Sequence, residues 1–491
     1  MHKNTMASSA DVNENKTGND DDRRRTDKTQ KQAPPTVPGW PLVGNLFDLK
    51  MSAMHHTLTD WAVQHGPVYT IHLFRTPYVV VSTETTVRQA ADRARSRSLN
   101  PGHVIFSEGG KDIFLGNYDE AWRFIRKEAE TSMQRHTKDI ANLDDLMNKE
   151  VEDFISVCCA SEGESVDLYD TLASTFLSMI VTLIIGEKLE RNGGKMQCAL
   201  ELVRNGGRVL SPIFASELSL LPFLRNFDIF GMKTISETLR RRDLLLDPYI
   251  QKNQESLEAG ESRSYLQLLM GAGNLTEEQM KIVCMHYPVG GTFAPQTVTL
   301  VTILQLLQHP DVMQKLQSDI DGLSGRIITP ADRPKLPLLQ AAILETLRFA
   351  TVTPLVPRVA HQDTSIAGYH VPKDTTILMN LWGVMHDQEF WKDPDVWRPE
   401  RFLDPEGQIL PSSHPFMRCI PLAFGGGIRT CLGRQFAPDQ IFRLVARLLQ
   451  QCDLQADPDY PLPQLNKETM TLQTKITIPR FRVKVLPRTK D

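Results

Sequence analysis

Residues 424–433 read FGGGIRTCLG. Three glycines, Gly425 to Gly427, precede Arg429 and Cys431, and the chain continues as RQFAPDQIFRLVARLL, with the apolar spacing of an amphipathic helix. A cysteine just ahead of a helix N-terminus meets outward-pointing backbone N–H groups, which favour thiolate over thiol. Glycines let a backbone approach something flat and close. Arg429, two residues before the sulfur, is placed to pair with an anionic group of a ligand. Two readings follow: a buried structural cysteine beside a tight turn, or a thiolate ligand to heme iron, which suits close backbone approach and a neighbouring cation.

Working outward, Pro34 to Leu46 (PPTVPGWPLVGNL) reads as an extended lead-in. HTLTDWAVQHG reads as a helix ending at Gly66. VYTIHLFRTPYVVVS reads as a hairpin turning at Arg75-Thr76-Pro77. Further β regions are expected at TSIAGYHVPKDTTILMN and TLQTKITIPRFRVKVLP. Between them DEAWRFIRKEAETSMQ, LDDLMNKEVEDFISVCCA, LASTFLSMIVTLIIG and PDVMQKLQSDIDGL carry helical spacing. There is no internal repeat and no linker after residue 34. The expected architecture is mainly α with a small β portion: a single large domain over 34–491, its sheet fed from both ends of the chain.

Residues 1–33 are polar and charged with almost no large apolar residues, so they are expected to form a disordered tail. No signal-peptide h-region is present. The longest apolar run, Phe176 to Gly186, is shorter than the about 20 residues that span a bilayer, and reads as a core helix. The net charge is −4 over 491 residues, and 23% of residues are charged, which gives no argument for nucleic acid. The seven cysteines are scattered and odd in number, which points to a reduced, intracellular setting.

Phe424, Gly427, Arg429, Cys431 and Gly433 together resemble the heme-binding loop of the cytochrome P450 superfamily. Other landmarks of that family stand in its order: ETLR with Glu345 and Arg348, PERF with Arg401, and AWRFIR with Trp122 and Arg126. At i and i+3, Glu345 and Arg348 share one helix face, a spacing that is usually just a surface salt bridge. The resemblance implies more: a buried Glu345–Arg348–Arg401 network behind a heme b held by Cys431. It also implies propionate contacts from Trp122, Arg126, Arg358 and Arg429. The flavour is that of animal microsomal members. Those carry an N-terminal membrane anchor, where this sequence shows a hydrophilic stretch. The expected location is the cytosol or the cytoplasmic face of the endoplasmic reticulum, with peripheral membrane contact and no transmembrane anchor.

The family's central helix crosses the oxygen-binding face of the heme. Here it starts at a capping box, Thr276 with Gln279, and is expected to run to Gln308, about 50 Å at 1.5 Å per residue. In its middle stands PVGGTFAPQT, residues 288–297. Counting back from His309-Pro310 puts Gly290 and Gly291 in the family's small-residue places, and Phe293 and Ala294 where an acid and a threonine are usual. Pro288 and Pro295 lack N–H groups and free the carbonyls of Cys284 and Gly291. Thr297, one turn on, is the partial substitute. No Asp or Glu lies between Glu278 and Asp311. Proton delivery, and with it oxygen activation, is therefore expected to be poor.

The resemblance implies monooxygenation of a hydrophobic small molecule, lipid or steroid-like, by O2 with NADPH electrons relayed through a flavoprotein reductase. Two alternatives stay open. Members that rearrange or dehydrate peroxides without O2 or reductase also lack the acid–threonine pair. A heme or ligand-binding protein without turnover is the other. Apolar pocket residues are expected within Val104 to Phe114, Leu210 to Phe214 and Leu472 to Thr474.

Overall fold

The computed structural model describes residues 32–97, 101–109, 112–139, 143–210, 232–256, 264–323, 325–473 and 475–488. Most of the expected tail, Phe214 and Thr474 lie outside them. Ordered contacts begin two residues before the expected start: His370 N, in a small two-stranded sheet of Thr364–Ile366 and Tyr369–Val371, donates to Gln32 O at 2.8 Å. Helix accounts for 57% and strand for 12%, so the architecture is mainly α with a small β portion in one domain.

Helix α1 (Met54–His65) ends at Gly66, whose φ of +93° only glycine adopts freely. Strands β1 (Val68–Leu73) and β2 (Thr76–Val81) form the expected hairpin, but its turn is Phe74-Arg75. Thr76 and Pro77 already sit in β2, opposite Leu73 and His72. Pro77 is tolerated because pairing on the other edge of β2 begins only at Tyr78. Helix α2 (Glu84–Arg93) follows, capped by Thr83.

Helices α3 (Glu120–Asp139), α4 (Leu143–Cys159) and α5 (Tyr169–Ile185) match the periodic segments. The apolar run of α5 is buried from Thr175 to Ile185 and capped by Gly186. No described helix is long and apolar enough to cross a membrane.

The central helix differs from expectation. It is two helices, α6 (Glu277–Gly291) and α7 (Phe293–Gln308), meeting at Thr292. The capping box at Thr276 forms both of its bonds. At the junction the remaining ladder bonds are long: Thr292 N to Pro288 O is 3.2 Å and Gln296 N to Thr292 O is 3.3 Å. Pro295 cannot supply the bond between them. The Thr292 hydroxyl donates to Pro288 O at 2.7 Å and holds the turn together from the side.

Helix α8 (Pro337–Ala350) leads into β3 (Leu355–Val359). Strand β4 (Thr376–Asn380) pairs parallel with β2 and antiparallel with β3, giving the order β1-β2-β4-β3. Contrary to the expectation of one sheet fed from both ends of the chain, the C-terminal strands do not join this sheet; they build separate ones. After helix α9 (Phe436–Gln451), β5 (Cys452–Ala456) pairs with β8 (Val483–Pro487), which also pairs with Ser165–Val166. Strands β6 (Thr471–Leu472) and β7 (Ile476–Thr477) form a small hairpin of their own. Ile476 N docks this hairpin on Val352 O at 2.8 Å, in the turn between α8 and β3.

The buried apolar side chains form two clusters. Phe424 packs on the first and Leu432 on the second, so the cysteine loop lies on the seam between them. Phe293 packs on the second and Ala294 on the first, so the helix junction lies on the same seam.

Candidate functional site

The cysteine loop is closed on itself: Cys431 N donates to Phe424 O at 2.8 Å. Its glycines serve turn geometry and packing against protein. Gly427 has φ +59°, and a Cβ there would lie 2.3 Å from Ala91 O of α2; at Gly426 a Cβ would lie 2.8 Å from Ala91 Cβ. Backbone cannot yield as a side-chain tip can. Gly427→Ala is therefore expected to lose about 1–3 kcal/mol from the strained φ alone and more from the overlap, read as a lower melting temperature and lower heme content. Cys431 is followed by a single 3-10 turn, Leu432–Arg434; α9 begins only at Phe436. The Cys431 residue is exposed, yet desolvation by the surrounding protein raises its thiol above the ordinary range, so it faces an interior space. The Gly433 N–H and the Arg126 and Arg434 cations oppose that rise.

Around this space stand four guanidinium groups. Arg126 comes from α3, Arg358 from β3 and Arg429 from the loop; the fourth, Arg97, carried no signal in the sequence. Burial lowers Arg358 well below its ordinary value, with Arg97, Arg429 and Arg126 adding to it. Burial likewise pulls Arg429 down to about 9 and Arg97 to about 10. Part of their donor capacity is used: Arg126 Nη2 donates to Thr430 O at 2.6 Å, and Arg429 donates to Arg95 O at 2.8 Å and Gly116 O at 2.5 Å. The Nε atoms of Arg97, Arg126 and Arg358 and Nη1 of Arg429 are buried with no partner among the described residues. Asp112 faces this cluster but is engaged elsewhere. Although burial opposes it, His286 and the amides of Leu115 and Gly116 hold its carboxyl below the ordinary range. Its Oδ2 lies 2.7 Å from His286 Nε2. Four cations with orphaned donors fit a ligand bearing two carboxylates, as heme does. Trp122 gives its indole N–H to Ile113 O at 3.1 Å, and its ring lies 3.8 Å from the Arg429 guanidinium carbon. It therefore acts on the cluster through stacking.

Behind the loop, Glu345 and Arg348 of α8 are fully buried. Both Glu345 oxygens accept from Arg348 at 2.8 Å, and Oε1 also accepts from Arg401 Nε at 3.2 Å and Arg398 N at 3.0 Å. The rest of the Arg401 guanidinium donates to the carbonyls of Trp391, Lys392, Asp393 and Val396.

At the helix junction Gly291 makes room for Ile180 of α5; a Cβ there would lie 2.6 Å from Ile180 Cδ1. A Cβ on Gly290 would meet nothing. The Thr297 hydroxyl is buried and donates to Phe293 O at 2.9 Å. Lys475, between β6 and β7, donates from Nζ to that same hydroxyl and lies 5.7 Å from the centre of the Phe293 ring. Nothing in the sequence pointed to it. Of the expected pocket residues, Phe106, Ile113 and Leu472 are buried and Phe114 lies under Arg97.

A thiol facing an interior space, a cluster of four guanidinium groups that keeps orphaned donors although Arg126 also pairs with Glu130 at 2.8 Å, and an interrupted helix define a heme-thiolate architecture. Residues 34–481 match the Cytochrome P450 family, and the chain belongs to it. Its class is that of heme-thiolate oxidoreductases, the P450 monooxygenases. The chain is 29% identical to the steroid 17-alpha-hydroxylase/17,20 lyase of Gallus gallus, over 92% of this chain and 91% of that one. It is 27% identical to the steroid 21-hydroxylase of Sus scrofa, covering 91% and 92%. A solved zebra fish cytochrome P450 with progesterone superposes with a TM-score of 0.76 at 26% identity, covering 88% of this chain and 99% of that one.

Proposed function

We propose that the protein hydroxylates a steroid, with Cys431 holding heme b and Arg97, Arg126, Arg358 and Arg429 receiving its propionates. The observation that carries the cofactor reading is the set of orphaned guanidinium donors around the Cys431 space. The steroid assignment is supported by the relatives named above and by an apolar seam bordered by Phe293, Leu432 and Phe436. The reaction is R–H + O2 + 2e− + 2H+ → R–OH + H2O, with electrons from NADPH through a flavoprotein reductase. When bound, the heme supplies O2 binding and O–O cleavage favoured by thiolate donation. The chain's own residues set the rest. The Gly433 N–H and the Arg126 cation stabilise charge on the sulfur. The loose α6–α7 junction leaves room for a ligand at Gly290, where a Cβ would meet nothing, while Ile180 fills the space at Gly291. Phe293 in the acid's place favours a second reading, a peroxide-rearranging enzyme that needs no reductase.

The test is a spectral titration of the holoprotein with progesterone-like steroids, a long-chain fatty acid and a small aromatic. Steroids are expected to give a saturable low-to-high-spin shift. With reductase and NADPH, the product should carry one oxygen atom from labelled O2. A shift from fatty acid alone would overturn the steroid assignment. Turnover of a lipid peroxide with no NADPH consumed would install the second reading.

A further inference from the structure

We infer that Lys475, acting through Thr297, supplies protons for O2 reduction at this site; this rests on the monooxygenase reading above. Reducing O2 to water and an alcohol consumes two protons per turnover, and α6 and α7 carry no carboxylate near their junction. The β6–β7 hairpin brings in a different acid. Its ammonium donates to Thr297 Oγ1, and Thr297 donates onward to Phe293 O at 2.9 Å. That carbonyl belongs to the first residue of α7, at the junction itself.

An aliphatic ammonium normally holds its proton far too tightly to act near neutrality. Here burial alone pulls Lys475 down to about 7. Among the described residues no charged side chain of α7, of the β6–β7 hairpin or of the turn carrying Val352 is paired with it; its partners there are the Thr297 hydroxyl and the Phe293 ring. A structural lysine would reach solvent or a carboxylate. This one is partly buried, has no carboxylate partner among the described residues and lacks an ordinary affinity for its proton, which suits a general acid working near neutral pH. Each transfer is R–NH3+ + H2O → R–NH2 + H3O+: Nζ protonates Thr297 Oγ1 as the hydroxyl turns from the Phe293 carbonyl and gives its own proton to a water at the junction, and solvent recharges the amine between transfers. The deficit expected from Phe293 and Ala294 is met from outside the helix.

The experiment uses full-length holoprotein with reductase and the steroid giving the largest spectral shift. It measures hydrogen peroxide released per NADPH consumed from pH 6 to 8, values that bracket the general acid's range. Wild type should stay coupled at low pH and leak more peroxide as pH rises through about 7, because the ammonium form is lost. Lys475→Met should leak about tenfold more, since a positioned donor is worth about 10²–10⁴ in rate and water recovers part. Its leak should not vary with pH. Lys475→Arg keeps the cation and the contact with Thr297 but cannot release a proton, so it should leak like Lys475→Met.

Heme content and steroid affinity should be unchanged in both variants. Reductive methylation with labelled formaldehyde should show one dimethyl-lysine resonance titrating near neutrality, absent in Lys475→Arg. Wild-type coupling in Lys475→Arg would overturn the inference. So would wild-type coupling in Lys475→Met, or a loss confined to affinity for sulfated steroids, which would make Lys475 an anion anchor. Failure of every steroid to bind would instead strike the substrate assignment and leave the peroxide ratio and the lysine titration as the deciding measurements.

Discussion

Cys431→His is expected to abolish the strongly red-shifted Soret band of the reduced, CO-bound protein, the signature of thiolate-ligated iron. The effect is total rather than graded, because the band reports the donor atom and not its affinity. Four other cysteines are poorly suited to take over. Burial pushes the thiols of Cys158, Cys284 and Cys419 up to about 12, and Cys452 higher still, beside Cys159. Cys431 differs in facing the interior space, with the Gly433 N–H and the Arg126 and Arg434 cations favouring its thiolate. Metal binding then completes deprotonation. Loss of the heme should also lower thermal stability, since a ligand at 1,000 times its Kd stabilises by about 4 kcal/mol. A retained band in Cys431→Ser would show that another cysteine is the ligand.

The second large effect is expected at Glu345. Its carboxylate is fully buried and accepts from Arg348, Arg401 and the Arg398 amide. Removing it leaves two buried guanidinium groups short of their counter-ion, costing about 3–5 kcal/mol, against a typical total of about 5–15 kcal/mol. Glu345→Ala should therefore give little holoprotein. Arg348→Ala should be comparably severe. The double variant should cost far less than the sum, because it removes both members of one pair. Arg401→Ala should differ: it also strips a donor from the carbonyls of Trp391, Lys392, Asp393 and Val396, so pairing it with Glu345→Ala should rescue little. Normal heme content in Glu345→Ala would refute the network. An additive Glu345→Ala/Arg348→Ala pair would show that the two residues act independently.

The helices and strands were largely legible because each is written in local periodicity and caps: the Thr276–Gln279 capping box, the stop at Gly66 and the apolar face of α9 all stand where their residues place them. The misses have physical causes. The hairpin turn fell one residue early because Pro77 reads as a turn former, yet β2 accepts it where no second strand pairs. The C-terminal strands were assigned to the N-terminal sheet because strand propensity says nothing about partners. The central helix divides at Thr292, where prolines at 288 and 295 remove ladder bonds on both sides.

By itself the sequence determined the cysteine loop, the Glu345–Arg348 spacing, the run of helices and, through the family's motifs, the class of cofactor. Each is encoded within a few residues, where covalent geometry and side-chain chemistry act directly. Only the tertiary structure decided which groups share the interior. Arg97 joins Arg358 because Ser96 bridges to Val359 of β3. Asp112 meets His286 across 174 positions, and Lys475 meets Thr297 across 178. Such meetings depend on how a hairpin docks and how two cores meet along a seam, which no local pattern specifies. The low proton affinity of Lys475 has the same origin: its residue type is ordinary, and burial without a carboxylate makes it an acid near neutrality.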